Sequence, residues 1–366
     1  MALAPSAPDR ALPPVRVNLF SDTQSRPTPA MRAAMAAAEV GDEQRGEDPT
    51  INALCERMAA LLGKEAAMFL PSGTMCNEIA ILTHCRPGDE ILAHEASHIA
   101  TSEGGAPWAL AGARVLGLPG ARGIFTAAAL QAAFTSRAYR YAAPQTLVAV
   151  EQTANFGGGS LWQLAELEAV ADLAHAAGLA THMDGARLLN AVVASGVAAA
   201  TMAAPFDSVW LDFTKGLGAP IGAVLAGSAA FIDAAWRWKQ RLGGAFRQGG
   251  IAAAGCLYAL DHHIARLAED HANAAHLAAG LAAIPGITVE TPETNLVFFT
   301  LTNGIAIETL AARLRARGIL ISVFGHGRGR AGLHLDITRA DVELAIESFR
   351  IAVEGVEGLT ADGRND

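Results

Sequence analysis

Three lysines stand in the 366-residue chain, Lys64, Lys215 and Lys239, and Lys215 alone lies between a strand-like run and a glycine turn, in Asp212-Phe213-Thr214-Lys215-Gly216-Leu217-Gly218-Ala219-Pro220. An amine that forms a Schiff base must be deprotonated and held where the chain turns sharply past its carbonyl partner, and flanking glycines let the backbone come close. Lys64 falls in the polar turn Leu62-Gly63-Lys64-Glu65, and Lys239 follows Trp236-Arg237-Trp238 in a stretch that reads as an exposed helix face. Asp184 closes a second strand-like run and opens Asp184-Gly185-Ala186-Arg187. A carboxylate there either caps a helix or, with water excluded, keeps a ring nitrogen protonated. Lys215 comes one strand later, so the two strand ends can flank a single ring, the arrangement that makes a pyridoxal ring an electron sink.

Other candidates carry both a chemical and a plain structural reading. Ser72-Gly73-Thr74 joins a strand to a helix start, where free amides and the helix dipole favour phosphate and where a serine is equally at home as an N-cap. His98, in Ala96-Ser97-His98-Ile99 ahead of Glu103-Gly104-Gly105, is either structural or an imidazole placed for proton transfer. Gly157-Gly158-Gly159 reads as a flexible turn, and Gly327-Arg328-Gly329-Arg330 as a solvent-exposed loop. The four cysteines, Cys55, Cys76, Cys85 and Cys256, have neither CxxC nor zinc-like spacing, so they read as reduced, buried thiols and no metal site is expected.

The elements that must position these groups alternate in type. Helical periodicity covers Pro29 to Ala38 and Ile51 to Leu62, and the apolar run Ala66 to Leu70 enters the Ser72 turn and a helix from Met75 to Thr83. Further strands are expected at 90–93, 113–118, 146–151, 179–184, 208–213 and 223–226, which implies an α/β fold with a mostly parallel sheet covered on both faces. Ligand sites in such folds lie beyond the strand carboxyl ends. One long Ala/His-rich helix, 251–283, then leads to strands at 288–290 and 296–301, a helix at 307–317, strands near 319–324 and 332–337, and a closing helix at 341–353. The expected organisation is a disordered tail over 1–16, a large domain over 17–250, and a linking helix with a small C-terminal α+β domain over 251–366.

A net charge of −9 argues against nucleic acid or an anionic membrane as the main partner, and 51% hydrophobic with 17% charged residues describes a globular chain. Neither a signal peptide nor a membrane span is recognisable, so a cytoplasmic protein acting on a small molecule is expected.

Taken together, Ser21-Asp22-Thr23, Gly46-Glu47-Asp48-Pro49-Thr50, Pro71-Ser72-Gly73-Thr74, Glu103-Gly104-Gly105, Asp184-Gly185-Ala186-Arg187, Lys215-Gly216-Leu217-Gly218-Ala219-Pro220 and Arg247-Gln248 resemble the L-threonine aldolase family, from about Val17 to about Val353. The resemblance implies the aspartate-aminotransferase-like fold (pyridoxal-phosphate fold type I, with a seven-stranded sheet). It also implies a homo-oligomer, a dimer of dimers, with active sites at subunit interfaces. Lys215 would form the Schiff base to pyridoxal 5′-phosphate, and Asp184 would hold the ring nitrogen. His98 would stack on the ring and act as base. Ser72, Gly73, Thr74, Thr214 and an Arg247 from a neighbouring subunit would hold the phosphate. Arg187 would border cofactor and substrate. Ser21, Arg187 and Arg330, with Arg328 as rival to Arg330, would bind the substrate carboxylate, for which a guanidinium fork is suited. The implied reaction is retro-aldol cleavage of a β-hydroxy-α-amino acid to glycine and an aldehyde, with β-elimination or non-catalytic cofactor binding as alternatives. Gln44-Arg45, Tyr141, Ala154 (for a histidine) and Thr214 (for a serine) depart from the family pattern. A bulkier aromatic β-substituent, as in phenylserine, or an anionic one paired with Arg45, is therefore expected alongside threonine.

Overall fold

The computed structural model describes residues 12–354 apart from Arg137 and His326. The chain divides into a large compact unit, Ser25–Ala268, and a small one comprising residues up to Gln24 and from Glu269 onward. This division differs from the expected boundaries at both places. Strand β1 (Val17–Leu19) belongs with the small unit because it pairs in parallel with Ile319–Phe324. Helix Gly250–His262 belongs with the large unit, where its Ala253, Cys256 and Ala259 share a core with Leu54 and Phe213. Of the expected tail, 1–11 lie outside the described residues. From Pro13 the chain is tied down: Arg315 donates to the Pro13 carbonyl and the Arg16 amide to that of Gly318.

The large unit begins with helices α1 (Pro29–Ala36) and α2 (Pro49–Leu62). The start of α2 explains much of the Gly-Glu-Asp-Pro motif. Asp48 Oδ1 accepts the Thr50 and Ile51 amides at 3.1 and 3.0 Å, and Pro49 sits at the first helical position, where no amide is needed. There follow β2 (Ala66–Leu70), α3 (Gly73–His84), β3 (Glu90–His94), α4 (His98–Thr101), β4 (Arg114–Leu118), β5 (Gln145–Glu151), β6 (Ala180–Gly185), β7 (Ser208–Asp212) and β8 (Ala223–Gly227). These strands form one sheet in the order β2-β8-β7-β6-β5-β3-β4. It is parallel except for β8, which runs antiparallel to both neighbours. Every residue of β3, β7 and β8 is buried, as a sheet covered on both faces requires. Because β2 shares its direction with β7, the carboxyl ends of β2, β3, β6 and β7 meet at one edge, which delivers Ser72, His98, Asp184 and Lys215 to the same side.

The small unit's sheet has the order β1-β11-β12-β10-β9, with β9 (Ile287–Val289), β10 (Leu296–Leu301), β11 (Ile319–Phe324) and β12 (Arg328–Gly332). Helices Ile307–Ala316 and Arg339–Glu354 accompany it around a core of Val297, Phe299, Leu310 and Phe349.

Three sequence expectations are corrected. The expected Gly/Arg loop is strand β12, in which Gly329 fits beneath Phe299, whose ring would lie 2.3 Å from an added Cβ, and the strand expected near 332–337 is absent beyond Gly332. The expected single helix over 251–283 is two, Gly250–His262 and Leu267–Ala282, since His263 turns its Nδ1 to the Leu217 carbonyl at 2.7 Å. Lys239 is fully buried, ion-paired with Glu43 and 4.9 Å from the centre of the Trp236 ring, not on an exposed face.

Candidate active site

The turn that carries Lys215 is fastened at successive carbonyls. Ser25 Oγ donates to the Lys215 carbonyl at 2.7 Å, Arg266 Nη1 to that of Gly216 at 3.5 Å, and His263 Nδ1 to that of Leu217. The break in the expected long helix therefore serves the lysine turn. Asp212, buried at the end of β7, pairs through Oδ2 with the Lys215 amine and through Oδ1 accepts both the amide and the hydroxyl of Thr214, each at 2.8 Å. Lys215 remains 18% exposed, so its amine can be approached.

Asp184 lies across the sheet in register with Trp210 of β7, whose ring centre is 5.6 Å from the Lys215 amine. Burial pushes the Asp184 carboxyl up to about 7, and the charge of Glu151 adds to that; His98, the Asn77 amide and Lys215 pull the other way. Its Oδ1 accepts the Ala186 amide at 3.0 Å and its Oδ2 the Asn77 amide at 2.9 Å, which leaves lone pairs for a further donor. Behind it, His182 and His84 are held neutral by burial, at about 3 and about 4. Free imidazoles titrate near 6.5, so below that pH the unfolded chain takes up protons that the folded one refuses, and stability present above 6.5 is lost as the pH falls. Each of the two is expected to cost about 1.4 kcal/mol per pH unit. Urea midpoints compared at pH 7 and pH 5 should drop for the wild type and drop less for His182→Gln; equal drops would refute this.

His98 stands at the start of α4, its amide donating to Glu151 Oε2 at 2.9 Å and its Nδ1 to Glu103 Oε1 at 2.6 Å. Burial opposes a charge on His98, but the Glu103 hydrogen bond and the charges of Glu103, Asp184 and Glu151 outweigh it and raise its pKa. Burial likewise opposes a charge on Glu103, yet the same pairing, with help from Asn77 and Thr74, holds its carboxyl below the usual range. With Nδ1 committed, Nε2 is the ring nitrogen left for chemistry.

At the start of α3, the Ser72 hydroxyl accepts the Met75 amide at 3.3 Å, so Ser72 does cap the helix, while Ser72 and Thr74 stay exposed there. Gly73 has a packing reason to be glycine: a Cβ would lie 2.1 Å from Trp210 Cη2. The amides of this 12-residue helix start can hold a phosphate. Arg187 is buried at the cap of helix Leu188–Ser195. Arg247, 62% exposed, pairs with Asp42 at 2.9 Å. Tyr141 is 92% exposed in the loop before β5, at the sheet's other edge. Arg45 pairs on the surface with Glu47. Within the small unit, Arg330 Nη2 donates to the Phe20 carbonyl at 3.2 Å beside buried Ser21, whereas Arg328 is committed to Glu290 at 2.7 Å.

The structure thus brings together Lys215, Asp184, His98 and Thr74 in the large unit, and Ser21 with Arg330 in the small one. Asp212, Asn77, Ser25 and His263 were not singled out in the sequence. A polar residue in the apolar face of 76–82 was the signal available for Asn77. Among the described residues no His/Cys/Asp/Glu group is arranged for a metal, and no helix is long and apolar enough to cross a membrane. The cysteines are free, and burial pushes Cys55 and Cys85 up to about 11, which keeps them as thiols.

A family model described as beta-eliminating lyase matches residues 18–303. Low-specificity L-threonine aldolase 1 of Arabidopsis thaliana is 38% identical over 344 residues, 92% of this chain and 96% of its own length. The chain belongs to the low-specificity L-threonine aldolase family. The low specificity L-threonine aldolase of Escherichia coli K12 is also 38% identical, over 329 residues covering 88% and 95% of the two chains. The solved threonine aldolase of Leishmania major superposes with a TM-score of 0.78 at 24% identity over 92% of this chain and 99% of its own. The fold is accordingly the aspartate-aminotransferase-like one, pyridoxal-phosphate fold type I, as its seven-stranded sheet indicates. For a threonine aldolase family member, the donor set suits pyridoxal 5′-phosphate. Lys215 offers a reachable amine, Asp184 a buried carboxyl group with acceptor lone pairs left for a ring N–H, and α3 an amide-lined helix start.

Proposed function

We propose that this protein is a pyridoxal-phosphate-dependent carbon–carbon lyase that cleaves L-β-hydroxy-α-amino acids of the threonine, allo-threonine or phenylserine type into glycine and an aldehyde. One observation carries the reading: a reachable lysine, a buried aspartate and a carboxylate-backed histidine lie at the same edge of the sheet in a chain 38% identical to named threonine aldolases. Bound through Lys215, the cofactor supplies an electron sink for the carbon that becomes the glycine Cα. Asp184 holds the ring nitrogen protonated. Gly73 and Thr74 amides with Ser72, Thr214 and a neighbouring subunit's Arg247 hold the phosphate. Arg330, Ser21 and Arg187 are assigned to the substrate carboxylate, Arg330 in preference to Arg328 because Glu290 already engages the latter.

His98, in its neutral form, would accept the β-hydroxyl proton at Nε2 as the Cα–Cβ bond breaks and the aldehyde leaves, and would hold a proton for return to the carbon that becomes the glycine Cα; Glu103 keeps Nδ1 protonated so that Nε2 is the acceptor. Ala154, buried and smaller than the histidine of the family pattern, favours a bulky β-substituent. A homo-oligomeric, cytoplasmic enzyme completes the proposal.

The test is product analysis on threonine, allo-threonine, phenylserine and β-hydroxyaspartate. Glycine with the matching aldehyde supports the reading, and ammonia with a keto acid replaces it by β-elimination, which the family description also names. The pH profile follows from His98. Because its pKa is raised, the acid limb of kcat/KM should lie above 6.5, rate falling as protonation removes the base. Glu103→Gln removes the charge that raises it, so the limb should move to lower pH while the maximal rate falls by about tenfold. An unmoved limb would eliminate His98 as the titrating base.

A further inference from the structure

One buried side chain joins the two acids of this site. The Asn77 amide group has its Oδ1 at 2.6 Å from Trp210 Nε1 and 3.1 Å from His182 Nε2, and its Nδ2 at 2.9 Å from both Asp184 Oδ2 and Glu103 Oε1. An indole nitrogen only donates, so the atom beside it is the amide oxygen, and the NH2 must face the carboxylates. His182 then donates from Nε2. Its Nδ1, 2.8 Å from Ser208 Oγ, accepts the serine proton, and His84 Nε2, 2.8 Å from the same oxygen, donates to it. The result is a one-way series of donors, His84 to Ser208 to His182 to Asn77, ending on Asp184 and Glu103. Sheet and helix geometry build it: His182 and Asp184 share one face of β6, Ser208 and Trp210 lie opposite them in register on β7, and Asn77 and His84 lie two turns apart on one face of α3.

Two carboxylates that share a buried space repel each other, and a donor placed between them offsets this. We propose that Asn77, held in this orientation by Trp210 and His182, is the positioning residue that fixes the Asp184 carboxylate for a protonated ring nitrogen and the Glu103 carboxylate for His98. The charged groups acting on Asp184 are Glu151, His98 and Lys215, whereas the hydrogen bond at its Oδ2 comes from Asn77. This inference rests on the reading of the site as one for pyridoxal 5′-phosphate.

The test uses binding, not turnover. Dissociation constants are measured by equilibrium dialysis for pyridoxal 5′-phosphate and for its 1-deaza analogue, which keeps the aldehyde and phosphate but has C–H in place of the ring nitrogen. The wild type should prefer the cofactor. Asn77→Leu, similar in shape but without donors, should weaken the cofactor by about ten- to a hundredfold and leave the analogue unchanged, since only the former uses Asp184. Equal losses for both ligands, or none, would overturn the inference while leaving the reading of the site intact. A wild type that binds neither ligand, or does not distinguish them, overturns the reading itself. Should Asn77→Leu not fold, the His182 pair makes the same comparison. His182→Gln retains a donor for Asn77 and should keep the preference, His182→Leu should lose much of it, and equal preferences in the two would overturn the inference.

Discussion

Lys215→Ala should lose roughly 10^4-fold or more of the aldehyde-releasing rate, the scale seen when a covalent nucleophile is removed. Neither remaining lysine is placed to substitute. Lys239 is sealed against Glu43 and aromatic rings, and Lys64 donates to the Phe206 carbonyl. The substitution should leave the fold intact, because the turn is fixed through its carbonyls by Ser25, Arg266 and His263 and not by the lysine side chain. Initial rates of glycine formation, with far-ultraviolet circular dichroism as the control for folding, decide the matter. A variant that folds and retains the wild-type rate would mean that the chemistry lies elsewhere.

Asp184→Asn should have the second largest effect, a fall of roughly 10^2- to 10^4-fold in kcat/KM, because it leaves a buried cation without its counter-charge. The amide is close in shape and can still be reached by the Ala186 amide, so the packing of β6 against β7 is retained. What is lost is the charge that opposes deprotonation of a ring nitrogen. Steady-state rates at saturating cofactor measure this loss, and a rate close to that of the wild type would remove Asp184 from the mechanism.

Much of the large unit was legible in the sequence because its strands are buried on both faces, so that runs such as 90–93 and 208–213 are almost continuously apolar. Lys215, Asp184 and His98 stood out for a related reason: Asp184 lies near the end of buried strand β6, and Lys215 and His98 come shortly after the ends of β7 and β3. The rest depended on partners far away in the chain. Lys239 looked like a surface charge until Glu43 was found beside it. The helix break at His263 has neither glycine nor proline to announce it and exists because a carbonyl of the lysine turn needs a donor. The arginine- and glycine-rich strand was concealed because its glycine answers to Phe299 on a neighbouring strand. Asn77 has two acceptors to satisfy, on segments that periodicity cannot bring together.

The most direct test is chemical. Purified protein is incubated with pyridoxal 5′-phosphate, reduced with borohydride, digested and mapped by mass spectrometry. The reduced phosphopyridoxyl group should be found on the peptide containing Lys215, in stoichiometric amount and nowhere else. Its absence, or its presence on Lys64 or Lys239, would contradict the covalent role assigned to Lys215.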